Sequence, residues 1–581
     1  MLLCVVACSD STGVPLDSPS RAGWTPDAAW PGFTLIAPLS DEKIHLVDMA
    51  GDIVHTWEVE GEPGVAVYLT ERGTLLRCDS VDFDDGNRFL AGGTGGRVQE
   101  IDWDGTVLWN LDWTGDSHQH HDIEPLPNGN VLLIAWDRET REEALARGRD
   151  PELLEGEQFW PGALYEIRPT PPEGGEVVWE WHAFDHLVQD FDPEAPHYGK
   201  PADFPHRIDI NGDRDGEEVS EEEEAADAAQ MAALGYAGDA DDEGALARAE
   251  DPRGPDGDGP PRRPQGDDPP PHLGVGSPPP PPGQGGDLPP PPPGADRPPP
   301  PPGGPGPGPG AEGDEDEDPE KAAKRALRKR TKDADWMHTN AVAYNAELDQ
   351  IAISVRRFDE IWVLDHSTTT AEAAGSSGGR SGRGGDLLYR WGNPFAYGMG
   401  SWEERTLIGQ HNVQWIPEGQ LGAGNLMAFS NGARRSDGDY SSIEEWWAPR
   451  DAHGNYLREE GKPFGPAETE WTYTSEERGE FYSSFISGAQ RLPNGNTLIC
   501  SGAQGWVFEV TPDDQVVWSW KNPHGEGDED DDPEMKPTSL FRAERYAPDH
   551  PGIVALRGKA TAIPEHPGYG PATNQRVDED D

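Results

Sequence analysis

The sequence predicts an all-β protein: a six-bladed β-propeller carrying a long disordered, acidic and Pro-rich insertion. Short strand-like runs recur in sets of three or four, each set closes on tryptophan, and Asn-Gly or Asp-Gly turns divide many of the runs. One such set makes a sheet too small to bury its own faces, so copies must stack around a common axis. Asn-Gly and Asp-Gly supply the positive φ that tight hairpins require. Repetition also places many of the 21 tryptophans between blades, which a β-sandwich would not explain.

Residues 1–29 read as a leader and linker. The run Leu2-Leu-Cys-Val-Val-Ala-Cys-Ser resembles the end of a bacterial lipoprotein signal in which Cys8 would carry the lipid. The run is shorter than a full signal peptide and no basic stretch precedes it. The expectation is export, as a periplasmic or outer-membrane lipoprotein. No later stretch has the ~20 apolar residues of a membrane span. Beyond the leader only Cys78 and Cys500 remain, which gives neither a disulfide framework nor metal-type cysteine spacing.

Residues 30–211 hold three copies of the repeat. Gly32 to Trp57 reads Gly-Phe-Thr-Leu-Ile-Ala, Lys-Ile-His-Leu-Val-Asp and Asp-Ile-Val-His-Thr-Trp, three strands parted by turns. Gly73 to Leu111 and Leu126 to Trp181 repeat the pattern. Residues 212–334 break it: Glu221–Glu224, polyproline runs and Asp314–Asp318 hold too little apolar side chain to repay ordering. The proline runs should be extended, and the whole stretch reads as a solvated loop. Asn211, Asp213, Asp215, Gly216 and Glu222 follow a calcium loop only loosely, with Asn in the first position and no flanking amphipathic helices. Residues 335–560 resume with three copies, Leu348 to Trp391, Ile416 to Trp471 and Leu492 to Trp520, and residues 561–581 form an acidic tail. Without the insert and its flanks about 450 residues remain, enough for one large β domain.

A formal net charge of −63 excludes nucleic acid as a partner, since binding it needs a basic surface that displaces counterions. It equally excludes polybasic attachment to acidic lipid. The acidity reads as a solubility or salt adaptation.

Chemistry is sought where the copies align. His121 precedes Asp-Ile-Glu-Pro-Leu-Pro-Asn-Gly-Asn, His338-Thr339 precedes Asn-Ala-Val-Ala-Tyr-Asn, and His411 precedes Asn-Val-Gln-Trp-Ile-Pro. In the last copy the corresponding residue is Ser487. Rotation about a propeller axis brings such positions to one mouth of the central channel. Arg356 and Arg357 end the strand that follows His338. A neutral imidazole is a nucleophile or acid/base near neutral pH, and a guanidinium fork fits a tetrahedral oxyanion. The set has neither the thiol nor the acid-rich pattern of a strong metal site, so zinc ranks second. No cofactor is expected.

Asp335-Trp-Met-His-Thr-Asn-Ala-Val, Ser354-Val-Arg, Gly409-Gln-His-Asn-Val-Gln-Trp, His121-Asp-Ile-Glu-Pro-Leu-Pro-Asn-Gly-Asn and Trp181-His-Ala-Phe-Asp-His resemble the bacterial arylsulfotransferase (aryl-sulfate sulfotransferase) family. The resemblance implies a six-bladed propeller moving a sulfuryl group from an aryl sulfate to a phenol in a ping-pong cycle, without a nucleotide donor. It implies that His411 is transiently sulfated, and that His338, Arg356 and His121 hold the sulfuryl and phenolic oxygens. Arg357 departs from the family pattern, where a histidine commonly follows the arginine. The alternative is a non-catalytic propeller that binds anionic aromatic or sulfated ligands through the same residues.

Overall fold

Strands pressed between neighbouring blades should be buried at successive positions rather than alternating. The second strand of most copies meets that condition: Val131, Leu132, Leu133, Ile134, Ala135 and Trp136 are all buried, as are all residues of Gln350–Val355 and Thr497–Ser501. The computed structural model describes residues 29–39, 41–59, 61–81, 91–154, 156–213, 334–433, 435–451, 454–524, 538–559 and 563–567. They belong to one of two compact units; the other, Asp241–Ala322, lies outside the described residues. So do the Cys8 leader, the Glu221–Glu224 run, the polyproline runs and the tail from residue 568.

The strands form six four-stranded antiparallel blades, the propeller expected from the repeats. From the innermost strand outward, blade 2 is Glu62–Leu69, Leu75–Ser80, Gly96–Ile101 and Val107–Asp112, and blade 3 is Ser117–Pro125, Val131–Asp137, Gly162–Pro169 and Gly175–His182. Blade 4 is Thr339–Asn345, Gln350–Val355, Glu360–Asp365 and Tyr389–Trp391. Blade 5 is His411–Trp415, Leu426–Ser430, Ser442–Trp446 and Trp471–Tyr473, and blade 6 is Gly488–Arg491, Thr497–Ser501, Trp506–Val510 and Val516–Lys521. Blade 1 has the three strands read from the sequence, Phe33–Pro38, Lys43–Val47 and Ile53–Glu58. Its innermost strand is Leu540–Tyr546, paired antiparallel with Phe33–Pro38, so both ends of the described chain close the ring.

The outermost strands show why tryptophan recurs. Each blade's indole N–H is aimed at the turn before the last strand of the next blade: Trp109 Nε1 donates to Gly174 O, Trp179 to Thr368 Oγ1, Trp391 to Pro466 O, Trp471 to Asp514 Oδ1 and Trp518 to Met49 O, at 2.7–3.0 Å. Blade 1 substitutes a histidine, His55 Nε2 lying 2.8 Å from Trp103 O. The ring therefore contributes apolar area and one directional bond at each joint.

Helices are few and short, and none among the described residues is long and apolar enough to cross a membrane. At the edges of the insert, the Asp213 carboxylate is buried and ion-paired to buried Arg149, and Ala334 is buried with its carbonyl accepting from Trp160 N. Asn211 Oδ1 accepts from Asp150 N and its amide donates to Gly148 O, so Asn211 and Asp213 serve the propeller; Asp215, Gly216 and Glu222 lie outside the described residues.

Candidate active site

The innermost strands of blades 3, 4 and 5 each break register near their start, between Gln119 and Ile123, Thr339 and Ala341, and His411 and Gln414. Non-glycine residues in the left-handed region lie within the breaks of blades 3 and 5, His121 at φ 51° and Asn412 at 53°, and immediately before that of blade 4, His338 at 48°. Such bulges re-aim side chains, and left-handed backbone at non-glycine residues gathers at functional sites. Polar side chains beside them bind each strand to its neighbour. Asp122 Oδ2 accepts from Val342 N at 3.2 Å, Asn340 Nδ2 donates to Gln410 O at 2.8 Å, and Asn412 Oδ1 accepts from Ala489 N at 2.8 Å.

These breaks bring His121, His338, His411 and Arg356 together. The His121 and His338 rings meet edge to face with centroids 4.7 Å apart. Arg356 acts electrostatically on His121, His338 and His411, and His411 acts on His121. Arg356 is the first residue after the second strand of blade 4, its N–H reaching His338 O at 3.3 Å. Its guanidinium makes no ion pair or side-chain hydrogen bond with the described residues, a cation with its fork unspent. The turn it begins ends on Asp359, whose Oδ1 accepts from Gly409 N at 2.7 Å and whose Oδ2 pairs with Arg405 at 2.6 Å. That carboxylate ties the Arg356 turn to the backbone just before His411.

Each histidine is held through Nδ1. His338 Nδ1 lies 2.5 Å from Asp335 Oδ2, and the other oxygen of Asp335 accepts from Trp136 Nε1 at 3.0 Å. His121 Nδ1 lies 2.8 Å from His120 Nδ1, and His120 stacks on Trp136 with centroids 3.6 Å apart. His411 Nδ1 faces Asn431 Oδ1 at 2.7 Å and Gly409 O at 3.1 Å. Burial, then Arg356, holds His411 well below the usual imidazole range, only partly opposed by the Asn431 bond. Burial, then His338, does the same to His121. His338 is lowered by burial while Asp335 pulls it up; burial pushes Asp335 up in turn, but His338 outweighs it and the carboxylate ends below its ordinary value. The site is thus a set of neutral imidazoles beside one unpaired cation.

The residue after His121 belongs to a buried ion pair. Arg542, on the closing strand of blade 1, binds Asp122 Oδ2 at 2.9 Å and also Tyr68 Oη, which donates to Asp122 Oδ1 at 2.6 Å. An apolar cluster of Phe485, Ile486 and Phe541, with half-buried Leu39, Val65 and Ala503, adjoins the histidines, Phe541 lying 6.4 Å from His121 by ring centroids.

Sequence reasoning missed His120, Asp335 as the partner of His338, and Asn431. Asp335 and His338 are three residues apart, a spacing that could have paired them. Asn431, like Arg356, is the first residue beyond the second strand of its blade, so rotation could have found it. Ser487, the counterpart in blade 6, is a structural tie: its hydroxyl bonds Ser483 Oγ and accepts from Gly502 N. In the Trp181-His-Ala-Phe-Asp-His motif, His186 is also structural, buried with Nδ1 on Asp386 and Nε2 on Ala373 O.

A family model for arylsulfotransferase (ASST) matches residues 41–531. The chain belongs to the arylsulfotransferase family. That membership agrees with the motif resemblance, makes the protein a member of a transferase family and points to small aryl substrates. No curated protein matches the chain. Among solved structures, a protein of unknown function from Bacteroides caccae aligns over 88% of this chain and 98% of its own, at 10% identity and a TM-score of 0.36, too loose to bear on fold or function.

Proposed function

We propose that this arylsulfotransferase moves a sulfuryl group from an aryl sulfate to a phenolic acceptor by a ping-pong cycle through a sulfohistidine at His411, with no nucleotide. The observation that carries the proposal is the state of His411: Nδ1 is engaged by two carbonyl-type oxygens, Nε2 makes no hydrogen bond to the described residues, and unpaired Arg356 is its strongest charged neighbour. An N–S bond forms from the Nε2 lone pair as the S–O bond to the aryl group breaks, its electron pair leaving on the aryl oxygen. In the second half the acceptor oxygen attacks sulfur, the N–S pair returns to Nε2 of His411, and the phenolic proton passes to the lone pair of His338 Nε2 and from there to water. A sulfate monoester is an anion throughout, so a neutral nucleophile meets less repulsion than a carboxylate would.

In this reading the Arg356 fork takes two sulfuryl oxygens, and His338 and His121 hold the remaining sulfuryl oxygen and the phenolic oxygen; neutral His338, with its Nδ1–H on Asp335, meets the acceptor's phenolic O–H as a proton acceptor at Nε2. The Phe485–Ile486–Phe541 cluster suits a flat aryl group. The leader adds export with lipid on Cys8, which the mass of the mature cellular protein tests. For the activity, a chromogenic aryl sulfate is incubated with and without a second phenol. The expected outcome is phenol release that becomes rapid only with acceptor, and sulfate appearing on the acceptor. Release to water at the same rate, or binding of the donor with no turnover, would contradict it.

A further inference from the structure

His411 is an imidazole with two nitrogens, and the chemistry above works for only one arrangement of its proton. The lone pair must be on Nε2 and the hydrogen on Nδ1. The structure contains a device that sets this, in a side chain outside the sequence-level candidates. Asn431 is fully buried immediately after the second strand of blade 5. Its Nδ2 lies 2.7 Å from Ser483 O and 2.9 Å from Ile486 O. Two backbone carbonyls need donors, so the NH2 of the amide must face them and Oδ1 must face the histidine. Gly409 O, the second atom within reach of His411 Nδ1, is also an acceptor only.

We propose that Asn431 is a positioning residue that locks His411 in the Nδ1–H tautomer and thereby presents the Nε2 lone pair to sulfur. The inference rests on the reading of His411 as the nucleophile. The opposite tautomer would set a lone pair against two oxygens and put a hydrogen on the attacking atom. As the N–S bond forms, the ring becomes cationic, and the same two oxygens accept from the more positive Nδ1–H. The partner is an amide where His338 has a carboxylate. A carboxylate at 431 would favour imidazolium and put a negative charge beside an incoming sulfate. Asn431 also grips a strained turn. Ile486 and Ser487 both have positive φ, at 47° and 92°, and a β-branched residue there is a genuine outlier.

The test uses the full-length chain, Asn431→Leu, Asn431→Asp, and the donor alone, so that only the first half-reaction is read. In the wild type, nitrogen NMR of labelled histidine should report a protonated Nδ1 and an unprotonated Nε2 for the signal lost in His411→Ala. Asn431→Leu should slow the phenol burst by up to about 10⁴-fold, the scale of a wrong-tautomer histidine in a hydrolase triad, with burst amplitude retained. Asn431→Asp keeps the acceptor and should form the adduct, with the acid limb of its burst rate moved to higher pH. An Nε2–H signal in the wild type would overturn the proposal even if neither variant folds. So would an Asn431→Leu burst at wild-type rate, or an Asn431→Asp profile that does not move, with label still trapped on His411; those results would leave the proposed function standing. Label trapped on another histidine in the wild type would remove both.

Discussion

At the scale of single residues, the candidate site is a contrast between groups with partners and one without. Arg356 is not needed by any described ion pair, so Arg356→Ala should fold normally and lower turnover by about 10²–10³-fold, the effect of a lost oxyanion donor. Arg356→Lys should recover only part, because an ammonium cannot span two oxygens as a fork does. Thermal unfolding beside steady-state rates checks this, and an alanine variant of full activity would put the arginine outside the site. A pH profile follows from the same arrangement. Burial and Arg356 both disfavour the His411 imidazolium, so the burst rate should hold as pH falls through 6.5 and decline only below it. Removing the cation lifts part of that penalty, so in Arg356→Ala the acid limb should move upward, toward 6.5. A limb that stays put would mean Arg356 does not face His411 in solution. The histidines and Arg356 were legible in the sequence because repetition marks equivalent positions. Their partners went unread: His120 and Asp335 lie one and three residues from the histidines they hold, but no local pattern marks them as partners, and Asn431 meets His411 only once the first two strands of blade 5 are paired. Asn431 in particular reads as one more turn residue, in Ser430-Asn431-Gly432.

At the scale of elements, the blades are joined at both edges, by tryptophan N–H groups outside and by Asp122, Asn340 and Asn412 within. The inner joint is the costlier one to break. Asp122→Ala would leave the Arg542 guanidinium buried without its carboxylate, a loss of about 3–5 kcal/mol. Asp122→Ala combined with Arg542→Leu should regain much of it, since removing both charges of a buried pair is far cheaper than removing one. Denaturant titration of the single and double variants decides this; a double variant no better than Asp122→Ala would assign the cost to lost backbone bonds instead. Strand content was readable from the Asn-Gly turns and the closing tryptophans. The pairing of Leu540–Tyr546 with Phe33–Pro38 was not, because no local pattern says that a strand pairs across about 500 residues of chain.

At the scale of the whole molecule, a ring of blades is closed by strands from two distant parts of the chain, while a long acidic, Pro-rich stretch interrupts it. Replacing residues 214–333 by a flexible linker should leave one cooperative thermal transition, because loop length is inexpensive, ~0.6 kcal/mol per doubling. Beginning the deletion one residue earlier removes Asp213 and strands buried Arg149, and should lower stability by about 3–5 kcal/mol. Equal stability of the two deletions would show that the Arg149 pair contributes little. Trapping the intermediate decides whether His411 carries the sulfuryl group. Enzyme is mixed with a radiosulfur-labelled aryl sulfate and no acceptor, quenched, digested and mapped. The expected result is a phenol burst no larger than the enzyme concentration and label in the peptide carrying His411, both absent from His411→Ala and the label discharged by added phenol. Label on His338 or His121, or sequential kinetics with no labelled peptide, would contradict it.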